Sequence, residues 1–239
     1  MNPIQYAYII YDLLYYPEYT ELYLNVVGSS IVGYILVWRG PVTAIHIYGS
    51  VDVEPIYSWL GGRVHIHALA KANVIQDIVG RLGKGGLVGT SRMLTMACTA
   101  NTYRRYSAVI PGYVVRRLNL GDLGEFTKVV RVSEAEAAAR LASPHWHYYG
   151  AFTGGKLASL GGTYLKLPEI WIIGDVVTLP EHRGRGLAKA VVSAITDDAL
   201  KSGAMAMLHV DEDNEPAVRV YRSLGFLAIQ EFLLIRYSA

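Results

Sequence analysis

The stretch Val176-Val177-Thr178-Leu179-Pro180-Glu181-His182-Arg183-Gly184-Arg185-Gly186-Leu187-Ala188 constrains the fold of this chain more than any other. An apolar, β-branched run stops at a proline. A basic turn with glycines follows, and helix-forming residues begin at once. A strand that feeds a helix through so short a turn calls for a crossover and a layered mixed fold. Gly184 and Gly186 keep side chains off the turn, so successive backbone N–H groups can converge on one point. The helix over residues 186–201 adds its unpaired N–H groups and the positive end of its dipole. Arg183 and Arg185 add charge. The turn therefore reads as an anion pocket suited to a diphosphate. Leu187, Val191, Ala194, Ile195 and Ala199 share one face, so the helix can pack.

The rest of the chain is consistent with an α+β (mixed α/β) protein. Runs rich in Ile, Val and Tyr at 22–27, 31–38 and 42–48 read as strands. A short helix is expected over 51–60, a strand over 64–68, and an amphipathic helix over 72–82. Pro111-Gly112 punctuates the chain and suggests two domains, 1–110 and 111–239. The second opens with a strand at 113–118, with Asn119 and Asp122 as candidate caps. Ser133 and Glu136 form a capping-box pair for an alanine-rich helix over 133–141. Strands are expected at 148–152, 156–165 and 170–179. The order ends in helix 186–201, strand 206–210, helix 215–224 and strand 226–236.

Composition removes several classes. A hydrophobic share of 52% with 18% charged residues supports a sizeable core. The net charge is +2 and the cations are dispersed, so nucleic acid is not an expected partner. No apolar run reaches the roughly 20 residues of a membrane span, and no signal peptide is evident at the N-terminus. The single cysteine, Cys98, lies in the apolar run 93–100, where it reads as a small buried hydrophobe. A reduced, cytoplasmic setting fits.

A second segment is independent of the first. Asn214-Glu215-Pro216-Ala217-Val218-Arg219-Val220-Tyr221-Arg222-Ser223-Leu224-Gly225-Phe226 begins with a capping residue and tolerates Pro216 only in a first helical turn. It ends with glycine at a C′ position. Together, Arg183-Gly184-Arg185-Gly186-Leu187-Ala188 and this segment resemble the two signatures of the GCN5-related N-acetyltransferase (GNAT) superfamily. Val115-Arg116-Arg117-Leu118-Asn119 with Asp122 is similar to that family's domain opening. The resemblance covers residues 113–237. It implies a C-terminal GNAT fold, with a central, mostly antiparallel sheet flanked by helices. The context Val177-Thr178-Leu179-Pro180-Glu181 also looks like the glycine N-acyltransferase-like branch. There, an eroded first domain precedes an active second one, so residues 1–110 read as a smaller α/β domain and a degenerate copy of the fold. It either shapes the acceptor pocket or contributes to a homodimer.

The resemblance implies an acyltransferase that moves acetyl from acetyl-CoA to a primary amine of a small molecule, amino acid or peptide, by direct attack. It implies no covalent enzyme intermediate and no metal. Val177, Thr178 and Leu179 would pair with the pantetheine amides as an added strand does. Arg183, Gly184, Arg185, Gly186, Leu187 and Ala188 would receive the pyrophosphate, and Asn214 would touch the pantetheine arm. Tyr221 is the candidate general acid, since a phenol near pKa 10 is protonated at neutral pH; the bland alternative is a core aromatic. The base stays open. The glutamate position of histone-modifying relatives aligns near Ile172, which is not acidic. Asp175 would serve only if a bulge turned it inward. His147, or His145, could act through water.

Other features carry less. His65-Ile66-His67 and His145-Trp146-His147 lack a third ligand for a metal. The glycine-rich loop 80–86 lacks a P-loop ending and reads as a connector. Asp211-Glu212-Asp213 reads as a solvated loop that could weakly attract a cationic acceptor. Two alternatives remain beside the amine-acetylating enzyme: a non-catalytic acyl-CoA sensor, and a protein-modifying acetyltransferase.

Overall fold

The computed structural model describes residues 3–82 and 85–239. The connector at 80–86 therefore lies partly outside the described residues. The chain forms two compact units: 96–210 and 214–229 with residues 3–4 of the described chain in one, and 5–95 with 211–213 and 230–239 in the other. Residues 96–110 thus cluster with the C-terminal unit, and 230–239 with the first.

In the first unit, α1 (Pro3–Tyr15) leads into an antiparallel meander of β1 (Thr20–Val27), β2 (Ser30–Arg39) and β3 (Thr43–Gly49). β4 (Arg63–Ala70) runs parallel to β3 in unbroken register from Thr43↔Val64 to Gly49↔Ala70. The helix expected over 51–60 is only a 3-10 turn, Glu54–Trp59, in which Ile56 alone is buried. α2 (Ala72–Leu82) and β5 (Leu87–Cys98) follow. Strand alternation sorts the faces. Ile45, Ile47, Val64 and Ile66 pack with Ile78 and Leu82 of α2, each burial contributing about 1.5–3 kcal/mol. Their neighbours His46 and His67 lie side by side, ring centroids 4.4 Å apart, with Tyr8 of α1 at 4.2 Å from His46.

The second unit holds β6 (Val114–Arg117), α3 (Leu123–Val130), α4 (Glu134–Ala142), β7 (Tyr148–Thr153), β8 (Lys156–Lys166) and β9 (Ile170–Thr178). After these come α5 (Leu187–Lys201), β10 (Met205–Asp211), α6 (Glu215–Ser223) and β11 (Leu227–Ser238). β6 to β9 are antiparallel neighbours, and β10 lies parallel beside β9. The latter part of β11 pairs antiparallel with β4 in the first unit's own sheet. The caps act as expected. Asn119 accepts from Gly121 N–H at 2.8 Å, Ser133 from Glu136 N–H at 3.2 Å, and Asn214 from Ala217 N–H at 3.3 Å. Arg116 grips Asp122 with both nitrogens, at 2.7 and 2.6 Å.

Phe126 and Ala137 of α3 and α4 pack on Tyr148, Leu157 and Leu160. α5 buries Leu187, Val191, Ile195 and Ala199, and a Cβ on Gly161 would meet Val191 and Ile195 at 3.1 and 3.3 Å. Leu160 and Gly161 are adjacent on β8, so the two sets of helices cover opposite faces. The fold is mixed α/β, with a mostly antiparallel sheet flanked by helices. Among the described residues, no helix is long and apolar enough to cross a membrane.

Candidate active site

β9 and β10 pair only from Met205↔Ile170 to Leu208↔Ile173. β9 continues to Thr178 and β10 to Asp211 without facing each other. Two parallel strands that part in this way leave backbone groups of β9 open to an added strand-like ligand. A cavity of about 680 Å³ sits here, lined by Val176, Val177 and Thr178 of β9, by the glycine turn, and by Asn214, Ala217, Val220 and Tyr221. Its volume is within the usual range for ligand clefts.

The glycine turn closes the end of the cavity. Gly184 and Gly186 take φ of +75 and +83, which side chains disfavour. Gly186 caps α5 with no side-chain hydrogen bond. The first N–H groups of α5 therefore have neither an intrahelical acceptor nor a side-chain cap. Leu187, Ala188 and Lys189 line the cavity at this point. Arg183 is drawn in, its Nε donating to the Thr178 carbonyl at 3.1 Å. Arg185 reaches only the Glu181 carbonyl, at 3.5 Å, and does not line the cavity. Leu179 is likewise outside the lining and donates its N–H to the Ala158 carbonyl at 3.0 Å.

Tyr221 projects from α6 into the same cavity and is 7% exposed. Burial pushes its phenol up to about 12. Its hydroxyl makes no hydrogen bond to another described residue. It is a protonated donor without an acceptor among the described residues, facing a space where a leaving group could sit.

Asp175 lies at a bulge. Leu160 faces Val177 and Gly162 faces Gly174, so β9 carries one extra residue there, and Asp175 takes φ +52. Its Oδ2 accepts from the Tyr148 hydroxyl at 2.9 Å and from Arg140 at 3.4 Å. The carboxylate borders Val176 in the chain but is not part of the cavity lining. His147 is placed elsewhere. Its ring meets Trp171 edge-on at 5.2 Å, and Nε2 lies 2.9 Å from Lys166 Nζ. Burial, then the charges of Lys166 and Arg117, push it down to about 4, while Asp198 acts to raise it. Asp198 belongs to the last turns of α5, and the glycine turn precedes its first, about 16 Å away at 1.5 Å per residue. The structure does not bring His147 to Tyr221. The side chain of Ile172 is buried and offers no base.

Sequence reasoning missed a set of contacts made by the segment before β6. The Tyr106 hydroxyl would stand 2.8 Å from a Cβ on Gly186. Lys189 lies 4.9 Å from the Tyr106 ring centroid, and Tyr113 meets His182 Nδ1 at 2.8 Å. His182 and Lys189 both line the cavity. These partners are far apart in sequence, so no local pattern announces them. Arg105 pairs with Asp197 at 3.0 Å. Among the described residues, no group of three potential metal ligands occurs.

A parallel strand pair thus parts beside a glycine turn and an uncapped helix start, with helices on both faces of the sheet. Residues 120–226 match the model of the Acetyltransferase (GNAT) family. The chain is 38% identical over 89 residues to the N-alpha-acetyltransferase RimI of Mycobacterium tuberculosis, covering 36% of this chain and 55% of that protein. It is 37% identical over 93 residues to a mycothiol acetyltransferase of Thermobispora bispora, covering 38% and 28%. The match thus spans about half of the first relative and little more than a quarter of the second. A tandem GNAT protein from the clavulanic acid biosynthesis pathway has the same fold, with a TM-score of 0.62 at 15% identity over 96% of this chain and 86% of that one. A GCN5-related N-acetyltransferase from Kribbella flavida reaches 0.66 at 15% identity, over 97% and 95%.

Proposed function

We propose that this protein is an acetyl-CoA-dependent N-acetyltransferase acting on a primary amine. The observation that carries the reading is one cavity holding three things: the parted edge of β9, the uncapped start of α5, and the unpartnered hydroxyl of Tyr221. The residues fit the co-substrate. Val177 and Thr178 offer an open strand edge for the pantetheine amides. Arg183, Gly184, Gly186, Leu187 and Ala188 present N–H groups and charge to the diphosphate, with Lys189 beside them. Arg185 adds long-range attraction only. Leu179 fixes the end of the strand, and Asn214, occupied as a helix cap, holds α6 in place across the gap.

The amine attacks the thioester carbonyl directly. Tyr221 donates its proton to the departing sulfur. Asp175 is the carboxylate closest in the chain to the open strand edge, and it is our candidate for receiving the acceptor's ammonium proton. We assign no step to His147. The names of the relatives favour an acceptor such as a protein N-terminus or an amino thiol. The glycine N-acyltransferase-like kinship rests on residues 177–181 alone. The same reading includes a homodimer and a cytoplasmic location.

The test is thiol release from acetyl-CoA with a panel of N-terminal peptides, amino acids, amino sugars and polyamines. Turnover with at least one amine is expected. Tight coenzyme A binding without turnover across the panel would favour a sensor instead.

A further inference from the structure

Lys166 ends β8 and is half-buried. Its Nζ lies 2.9 Å from His147 Nε2, 3.3 Å from the Pro144 carbonyl oxygen, and 4.2 Å from the Trp171 ring centroid. The carboxylate that acts on it, Asp198, is already bonded to the Tyr149 hydroxyl. Other lysines are held differently. Lys128 and Lys201 are 72% and 67% exposed and pair with Glu125 and Asp197 at 2.5 and 2.6 Å. Burial, then the charge of Arg117, lowers the pKa of Lys166. The Trp171 face favours the cation, but the rest of the site does not.

An ammonium brings three N–H donors and a charge to a place with two good acceptors and a neighbouring cation. A secondary amide there would keep one N–H bond, to His147 Nε2 or to Pro144 O, and would carry no charge to desolvate.

We infer that Lys166 is a covalent modification site, acylated on Nζ by acyl-CoA thioesters taken directly from solution. The neutral amine attacks the thioester carbonyl, the C–N bond forms and the C–S bond breaks. The proton lost from nitrogen passes through water to the thiolate. The products are Nε-acyl-lysine and free coenzyme A. The step uses no residue of the Tyr221 cavity, so it stands or falls independently of the proposed transferase activity. Acylation would also remove a charge that, after burial, lowers the pKa of His147.

The experiment incubates the full chain with acetyl-CoA at pH 8 and follows acetyl occupancy at each lysine by mass spectrometry. Lys166 Nζ lies beside the His147 acceptor, whereas Lys128 and Lys201 pair with carboxylates, so the initial rate at Lys166 should exceed theirs. An equal or slower rate at Lys166 overturns the inference. Tyr221→Phe should leave the Lys166 rate unchanged; its loss there would mean that the transferase site performs the reaction, contradicting the direct route. In Lys166→Gln, the NMR titration midpoint of His147 should move upward. An unchanged midpoint would contradict the pairing on which the site is built.

Discussion

Leu208 and Ile173 are the last residues to face each other across β10 and β9, and the two strands part beyond them. The parallel pair of the first unit does not part. β3 and β4 stay in register to their ends at Gly49↔Ala70, and β3 is followed by a 3-10 turn rather than a glycine turn and helix. Only the second parallel pair offers a strand edge and an uncapped helix start together. Coenzyme A should therefore bind with a stoichiometry of one per chain by calorimetry. Two equivalent sites would show that a closed strand pair can also accept the ligand.

Tyr221→Phe should lower kcat by about 10²-fold, the lower end of what a positioned acid supplies. The affinity for coenzyme A should change little, because the lost hydroxyl has no partner among the described residues. For the same reason thermal stability should stay within about 0.5 kcal/mol of the parent. A large loss of stability would identify the residue as packing.

Gly225→Ala tests the end of α6. A Cβ there would stand 1.8 Å from the Thr102 carbonyl oxygen, on a residue at φ +92. Backbone must move, so denaturation should show a loss of about 3 kcal/mol or more. Gly184→Ala has a similar φ of +75 but open space around its Cβ, and should cost only about 1–2 kcal/mol.

Acid should weaken the second unit earlier than its carboxylates alone would. Burial pushes His209 down to about 4, and burial with Lys166 does the same to His147. A histidine depressed in the folded state stabilises fully above its ordinary value near 6.5, and that stability is lost as pH falls toward 4. Each can contribute up to about 1.4 kcal/mol per pH unit in that window. Urea midpoints at pH 7, 6 and 5 should fall progressively, and less steeply in a His209→Phe variant.

Asp12 works in the opposite sense in the first unit. It is 8% exposed, and burial raises it to about 7. Its protonated form suits the fold, so stability is lost as pH rises from about 4 through 7. Asp12→Asn should stabilise the protein at pH 8 by an amount on the order of 1–3 kcal/mol. It should have little effect at pH 4. No gain at pH 8 would mean that the carboxylate has found compensation.

The segments legible in the sequence were those whose determinants are local. β9, its glycine turn, α5 and α6 carry their caps, breakers and apolar stripes within a few residues. α1 and β5 are absent from the sequence reading for a physical reason. α1 is tyrosine-rich, with no acidic residue in its first turn and no basic one in its last. β5 alternates along its first part and is wholly buried along its last, so no single period describes it. The bulge at Asp175 is a property of strand pairing. The sequence could state that Asp175 needed one, but only the register between Leu160 and Gly162 of β8 reveals it. His147 misleads because it lies near the right strands in sequence while its ring meets Trp171, at the end of β9 remote from the cavity.

The main chain around Gly184 and Gly186 is proposed to receive the diphosphate of coenzyme A. A coenzyme A titration followed by backbone amide NMR tests it most directly. The largest shifts should fall on Gly184, Gly186, Leu187 and Ala188, with smaller ones on Val177 and Thr178. Saturable binding that leaves those amides unmoved would contradict the account.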